Sequence, residues 1–136
     1  MVDRKKKILW HSDPATHATG FGNYTKYILS YLYRTGKYDI ACFGCGVGSN
    51  DNSYLKFPWK TYPSIPVERQ DVIQRANQDP NFGRMLSYGE PLLDEVVKDF
   101  KPDVYIGIQD WWGAPDFAVE KRFWNKGHLV DTWKLF

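Results

Sequence analysis

Residues 6–23 read KKILWHSDPATHATGFGN, and this stretch decides the fold. Ile8, Leu9 and Trp10 form a continuous apolar run, which is typical of a strand covered on both faces in a parallel sheet. The Asp, Pro, Thr and Gly residues over 13–20 are typical of a loop and a helix start. The stretch therefore predicts a buried strand that leads through a turn into a helix.

The same alternation continues along the first half of the chain. Apolar residues recur at helical spacing after the turn and predict one buried helix stripe, which consists of Phe21, Tyr24, Ile28, Tyr31 and Leu32. Gly36 is expected to end this helix. A second apolar strand is predicted over 38–44, and the glycine- and asparagine-rich residues 44–52 predict an irregular segment.

The second half of the chain is predicted to form shorter elements: a strand between 55 and 66, a helix over 67–76 and a turn over 79–83. A longer helix is predicted from near Pro91, with apolar residues at helical spacing from Leu92 to Phe100. An apolar strand over 104–108 and a short helix over 116–124 follow. This succession predicts an α/β fold, a Rossmann-like open parallel sheet with helices on both faces.

Composition narrows the class of protein. A chain of 136 residues with 43% hydrophobic and 25% charged residues suits one globular domain. The net charge of +2 is too balanced to indicate a nucleic-acid partner, and the first apolar run is too short for a signal peptide or a transmembrane segment. We expect a cytoplasmic protein. Because residues 129–136 resemble an incoming strand, we also expect the chain to be the front piece of a longer protein.

Cys42 and Cys45 form a Cys-x-x-Cys pair. A zinc site needs about four ligands, and the three histidines show no paired ligand spacing. A redox pair would open a helix, whereas glycine-rich sequence follows Cys45. We therefore predict a structural or incidental pair and no metal site.

Ligands of open parallel sheets bind beyond the carboxyl ends of the strands, and two loops are expected there. The first loop supplies the candidate binding residues Asp13, Thr19, Gly20, Phe21, Gly22 and Asn23. Glycines allow a ligand close to the backbone, and the N–H groups of a helix start attract a phosphate or a polar sugar. The alternative is that these glycines only make a tight turn.

The second loop, over 109–113, supplies Asp110 and Trp111 as candidate binding residues, with Trp112 as a further possibility. A carboxylate beside indole rings suits a sugar-binding edge, and the alternative is a helix cap beside tryptophans that cover the core. His11, at the end of the first strand, either touches the ligand or is a hydrogen-bonded structural residue.

Two stretches carry a family resemblance. Lys7–Asp13 followed by Thr19–Asn23 resembles the opening of family 4-like glycosyltransferases of GT-B architecture, and Lys101–Asp110 resembles their later strand and its loop. The resemblance implies that residues 1–136 form the N-terminal, acceptor-side domain and that the C-terminal, donor-binding domain is absent from this chain. It also implies retaining transfer without a metal ion.

The resemblance implies the partners as well. A nucleotide sugar would be the donor and a hydroxyl group the acceptor, with no cofactor bound by this chain. The Gly20–Gly22 turn would face the donor diphosphate or the acceptor, and Asp110 would lie near the acceptor. No catalytic residue is assigned, and the domain alone is expected to be inactive.

Two other functions stay open. One is a non-enzymatic flavodoxin-like or carbohydrate-binding module, because a fold alone does not specify a function. The other is a nucleotide-dependent oxidoreductase. It is disfavoured because only the first two glycines of the dinucleotide fingerprint are present, Thr25 stands at the third position, and no acidic residue ends the second strand.

Overall fold

The computed structural model describes residues 4–108. Within this range, four strands form one sheet in the order β3-β2-β1-β4, and all their pairings are parallel. The strands are β1 (Lys6–Ser12), β2 (Tyr38–Gly48), β3 (Lys60–Ile65) and β4 (Val104–Gly107). The helices are α1 (Gly20–Thr35), α2 (Gln70–Gln78), α3 (Pro80–Tyr88) and α4 (Leu93–Phe100), with 3₁₀ turns at Ser53–Lys56 and Glu90–Leu92. The predicted Rossmann-like open sheet is confirmed.

Helices cover both faces of the sheet because neighbouring residues of each strand point to opposite sides. Leu9 belongs to a core with residues of α3 and α4, such as Leu86 and Val96. Trp10, the next residue, belongs to a separate core with Leu29 of α1. The continuous apolar runs of β1 and β2 follow from this double coverage.

Helix α1 is rotated relative to the predicted stripe. Tyr24 and Tyr31 are exposed, at 58% and 68%, so their assignment to the buried face is wrong. The buried residues of α1 are Gly22, Thr25 and Leu29. The rotation has a polar cause, because the Trp10 Nε1–H donates to the Thr25 hydroxyl at 2.8 Å and the same hydroxyl lies 2.6 Å from the Asp13 carbonyl.

Two segments predicted as loop or turn are regular. Residues 44–48 were expected to be irregular, but β2 continues through them to Gly48, with a register shift against β3 between Gly44 and Gly48. The turn predicted over 79–83 is the start of α3. There the Asp79 carboxylate accepts the N–H groups of Asn81 and Phe82, and Pro80 occupies the first turn, where its missing N–H costs nothing.

The other predicted elements are confirmed with shifted bounds. The short strand predicted between 55 and 66 is β3, whose Pro63 lies in an edge strand, as expected for a residue without an N–H. The helix predicted over 67–76 is α2. The helix predicted from near Pro91 is α4 with the 3₁₀ turn before it, and Lys101 follows it. Among residues 4–108, no helix is both long and apolar enough to cross a membrane.

Both cysteines lie inside β2 rather than at a helix start. Cys42 and Cys45 are buried and not disulfide-bonded, and burial raises the pKa of both thiols. Within the described part of the chain, no group of three His, Cys, Asp or Glu side chains is arranged to hold a metal ion.

Candidate functional site

The carboxyl ends of β1 and β4 meet at one edge of the sheet. The Ile108 N–H donates to the His11 carbonyl at 3.1 Å, and the Ser12 hydroxyl donates to the Ile108 carbonyl at 2.6 Å. The chain therefore leaves β4 beside the start of the loop between β1 and α1. The predicted site residues Asp110, Trp111 and Trp112 lie outside the described residues.

Asp13 and Thr19 are brought together at the start of α1. Thr19 is the N-cap residue, and its hydroxyl accepts the Gly22 N–H at 2.9 Å. The same hydroxyl donates to the Asp13 Oδ2 at 2.6 Å. A carboxylate therefore stands at the positive end of the helix, where it interacts favourably with the helix dipole.

The two glycines of this turn have different environments. A Cβ atom on Gly22 would lie 2.1 Å from the His17 carbonyl oxygen, so Gly22 allows the loop backbone to pack closely against the helix. A Cβ atom on Gly20 would have no neighbour within 4 Å, and Gly20 is exposed. Gly20 is thus the glycine that leaves room for a ligand, while Gly22 serves packing within the protein.

The start of α1 also offers backbone donors. Among the described residues, the N–H groups of Gly20 and Phe21 have no hydrogen-bond acceptor, as expected for the first turn of a helix. Asn23 is exposed one turn along, and Phe21 is half-buried. Two open N–H groups, one carboxylate and one amide side chain therefore surround the point where α1 begins.

A groove of about 480 Å³ lies beside this point. Its described polar lining consists of Thr16, His17, Asn23, Lys26 and Lys56, and Phe57 contributes an aromatic wall. His17 also lies close enough to Asp51 to help lower the pKa of that carboxyl, although the bonds from Ser53 are the larger cause. Of this lining, sequence reasoning identified Asn23 alone as a site residue. The position of residues 53–57 after β2 was the available signal, because loops after neighbouring parallel strands share an edge.

His11 is a buried structural residue in this arrangement. It is 1% exposed and stacks on Phe43 with the ring centroids 4.7 Å apart. Its Nε2–H donates to the Tyr88 carbonyl at 2.6 Å, so Nδ1 accepts the Tyr105 hydroxyl at 2.5 Å. Burial lowers the pKa of His11 to about 4 and keeps the ring neutral. This geometry favours the structural role of His11 over contact with a ligand.

No protein-family model matches the chain. No curated protein is significantly similar to it either.

Proposed function

We propose that this chain is the acceptor-side domain of a glycosyltransferase, which transfers a sugar from a nucleotide-sugar donor to a hydroxyl group. The observation that carries the proposal is the pairing of the Asp13 carboxylate with the N-cap Thr19 beside two open backbone N–H groups. These groups are acceptors and donors for the hydroxyls of a sugar. The sheet edge that carries them is the edge at which open α/β sheets bind ligands.

Charge favours a neutral ligand over a diphosphate at the start of α1. A helix N-terminus stabilises a negative charge by about 0.3–1 kcal/mol, and Asp13 already occupies that position. A second negative charge about 4 Å from the carboxylate would be repelled by roughly 1–4 kcal/mol, depending on solvent exposure. Repulsion therefore exceeds the attraction of the helix, and the site suits the hydroxyls of an acceptor. The donor diphosphate then belongs to the second domain that the resemblance implies.

The packing of Gly22 argues against the oxidoreductase alternative. In the dinucleotide fingerprint, the second glycine lets the pyrophosphate approach the backbone. Here the space beside Gly22 is filled by the His17 carbonyl. The carbohydrate-binding module remains the second candidate function, because the same Asp13 geometry would serve a protein that binds a sugar without transferring it.

Backbone amide NMR tests the proposal on the 136-residue chain. Glucose, mannose, UDP-glucose and GDP-mannose are titrated separately and then as sugar and nucleotide-sugar pairs. We expect glucose or mannose to shift the amide signals of Gly20 and Asn23, and we expect a nucleotide sugar to leave that binding unchanged, because the donor diphosphate belongs to the second domain. Unchanged amide signals of Gly20 and Asn23 in the presence of either sugar would contradict both functions. Sugar transfer by a longer chain that includes the donor-binding domain would separate the transferase from the module.

Asp13→Asn provides the charge test, because the amide oxygen can still accept the Thr19 hydroxyl while the negative charge is removed. We expect pyrophosphate to shift the Gly20 amide in this variant and not in the wild-type chain. Asp71→Asn, an exposed change in the first turn of α2, is the matched control and should behave as wild type. Equal pyrophosphate responses in wild type and Asp13→Asn would contradict the electrostatic reasoning.

A further inference from the structure

The amino edge of the sheet, opposite the candidate sugar site, contains a second and larger cavity. Its volume is about 850 Å³, within the range of small-molecule pockets. Residues at the beginnings of β1, β2 and β3 line it. Among the described residues that line it, the cationic side chains are those of Arg4, Lys5, Lys7, Lys60 and Lys101, and Asp39 is the one carboxylate. Because the whole chain has a net charge of only +2, this cavity concentrates positive charge.

Only part of this charge is neutralised within the protein. Arg4 forms two hydrogen bonds with Asp103, and Lys60 lies 3.3 Å from Asp99. The Lys7 ammonium donates to the Phe100 carbonyl at 2.9 Å and lies over the Phe100 ring. It also interacts electrostatically with the Asp99 carboxylate, so its charge is partly compensated.

Lys5 and Lys101 have no acidic partner among residues 4–108. As built from the described residues, the cavity therefore keeps two cations without an ion-pair partner, at separate points of its wall. Several separate cations suit a ligand with several negative charges better than a single carboxylate.

The backbone of Lys101 gives a second, independent indication. Lys101 follows α4 with a φ of 55°, and every other described residue with a positive φ is a glycine. Glycine is the usual residue at this position of a helix end, because a Cβ atom disfavours the left-handed conformation. The chain thus holds a lysine where glycine would be more stable, and that lysine faces the charged cavity.

We propose that this amino-edge cavity binds an oligophosphate group, a run of two or more linked phosphates. The separate cations match its several charges, and Tyr33 and Tyr38 add aromatic wall against which a ring attached to the phosphates packs. This inference does not depend on the proposed sugar site, which lies at the other edge of the sheet.

Calorimetric titration of the 136-residue chain with tripolyphosphate tests the proposal. Lys5→Ala combined with Lys101→Gly should weaken binding about tenfold, since each exposed charge contributes roughly a threefold factor. Lys26→Ala, which removes an exposed lysine from the groove at the carboxyl edge, is the control and should leave the affinity unchanged. Absence of binding, or a loss seen with Lys26→Ala and not with the double variant, would overturn the proposal.

Lys101→Gly alone separates folding from binding. Relief of the left-handed backbone should raise the melting temperature by roughly 2–4 °C while the affinity for tripolyphosphate falls. A variant that gains stability and keeps full affinity would show that Lys101 has no role in binding.

Vesicles of phosphatidylcholine with and without phosphatidic acid distinguish a lipid headgroup from a soluble phosphate. Binding to the acidic vesicles without any binding of free tripolyphosphate would contradict a small-molecule cavity.

Discussion

Acidification from pH 7 to pH 5 should destabilise this protein through His11. In the fold, the ring is neutral because its Nδ1 accepts the Tyr105 hydroxyl and because burial penalises the charged form. Its pKa is about 4 in the folded chain, against an ordinary value of 6.5. Since the unfolded chain binds the proton first as the pH falls, stability is full above pH 6.5 and is lost progressively toward pH 4.

The magnitude follows from this difference in pKa. One pKa unit corresponds to about 1.4 kcal/mol, so the interval between pH 6.5 and pH 5 removes about 2 kcal/mol. Carboxylates act in a lower window. The pKa values of Asp99 and Asp103 are lowered by bonds to Tyr62 and Arg4 respectively, so their contribution is present above the unfolded value near 3.8 and is lost below it. The loss between pH 7 and pH 5 therefore reports mainly on histidine.

Urea unfolding at pH 7 and at pH 5, followed by tryptophan fluorescence, measures this loss. His11→Gln should lower stability at pH 7, because it disturbs a buried hydrogen-bonded ring, and should remove most of the pH dependence. Leu55→Ser is the control and should retain the wild-type pH dependence, because Leu55 is exposed and carries no titratable group. A wild-type loss below about 0.5 kcal/mol, or an unchanged loss in His11→Gln, would refute the reasoning.

Two paired substitutions test the packing of α1. Gly22→Ala should destabilise the fold by about 1–3 kcal/mol, because its Cβ atom meets a loop carbonyl. Gly20→Ala should change the free energy of unfolding by less than about 0.5 kcal/mol, because its Cβ atom has no close neighbour. Equal effects of the two substitutions in urea unfolding would contradict the close contact at Gly22. Leu29→Ala should lower the free energy of unfolding by about 2–5 kcal/mol, because this side chain is fully buried. Tyr31→Ser should lower it by less than about 0.5 kcal/mol, because Tyr31 is 68% exposed. A lower melting temperature for Tyr31→Ser than for Leu29→Ala would support the buried face predicted from the sequence instead.

Local patterns predicted most of the fold. The apolar runs of β1, β2 and β4 contain no charged residue at their centres, so their assignment as covered parallel strands needs no knowledge of their neighbours. Helix α4 has a similarly unambiguous apolar face. The start of α3 also carries a local signal, because an Asp directly before a Pro favours a helix start as well as a turn.

The candidate site was predicted only in part. The sequence indicated Asp13, Thr19 and the glycines, because turn chemistry is local. It could not separate the two glycines, since the carbonyl that excludes a side chain at Gly22 is visible only when the loop folds over the helix. The sequence alone could not decide whether His11 contacts a ligand or has a structural role, because both of its hydrogen-bond partners lie far along the chain, in residues 88 and 105.

By itself, then, the sequence determined that strands and helices alternate and that the strands are parallel and covered on both faces. Periodicity and turn residues act within a few positions of the chain, so they need no folded context. Only the tertiary structure decided which side of α1 is buried, which glycine is open, how the ring of His11 is held and that Lys5 and Lys101 share one cavity. Each of these depends on contacts between segments that are distant in the chain, and those contacts exist only after the sheet has formed.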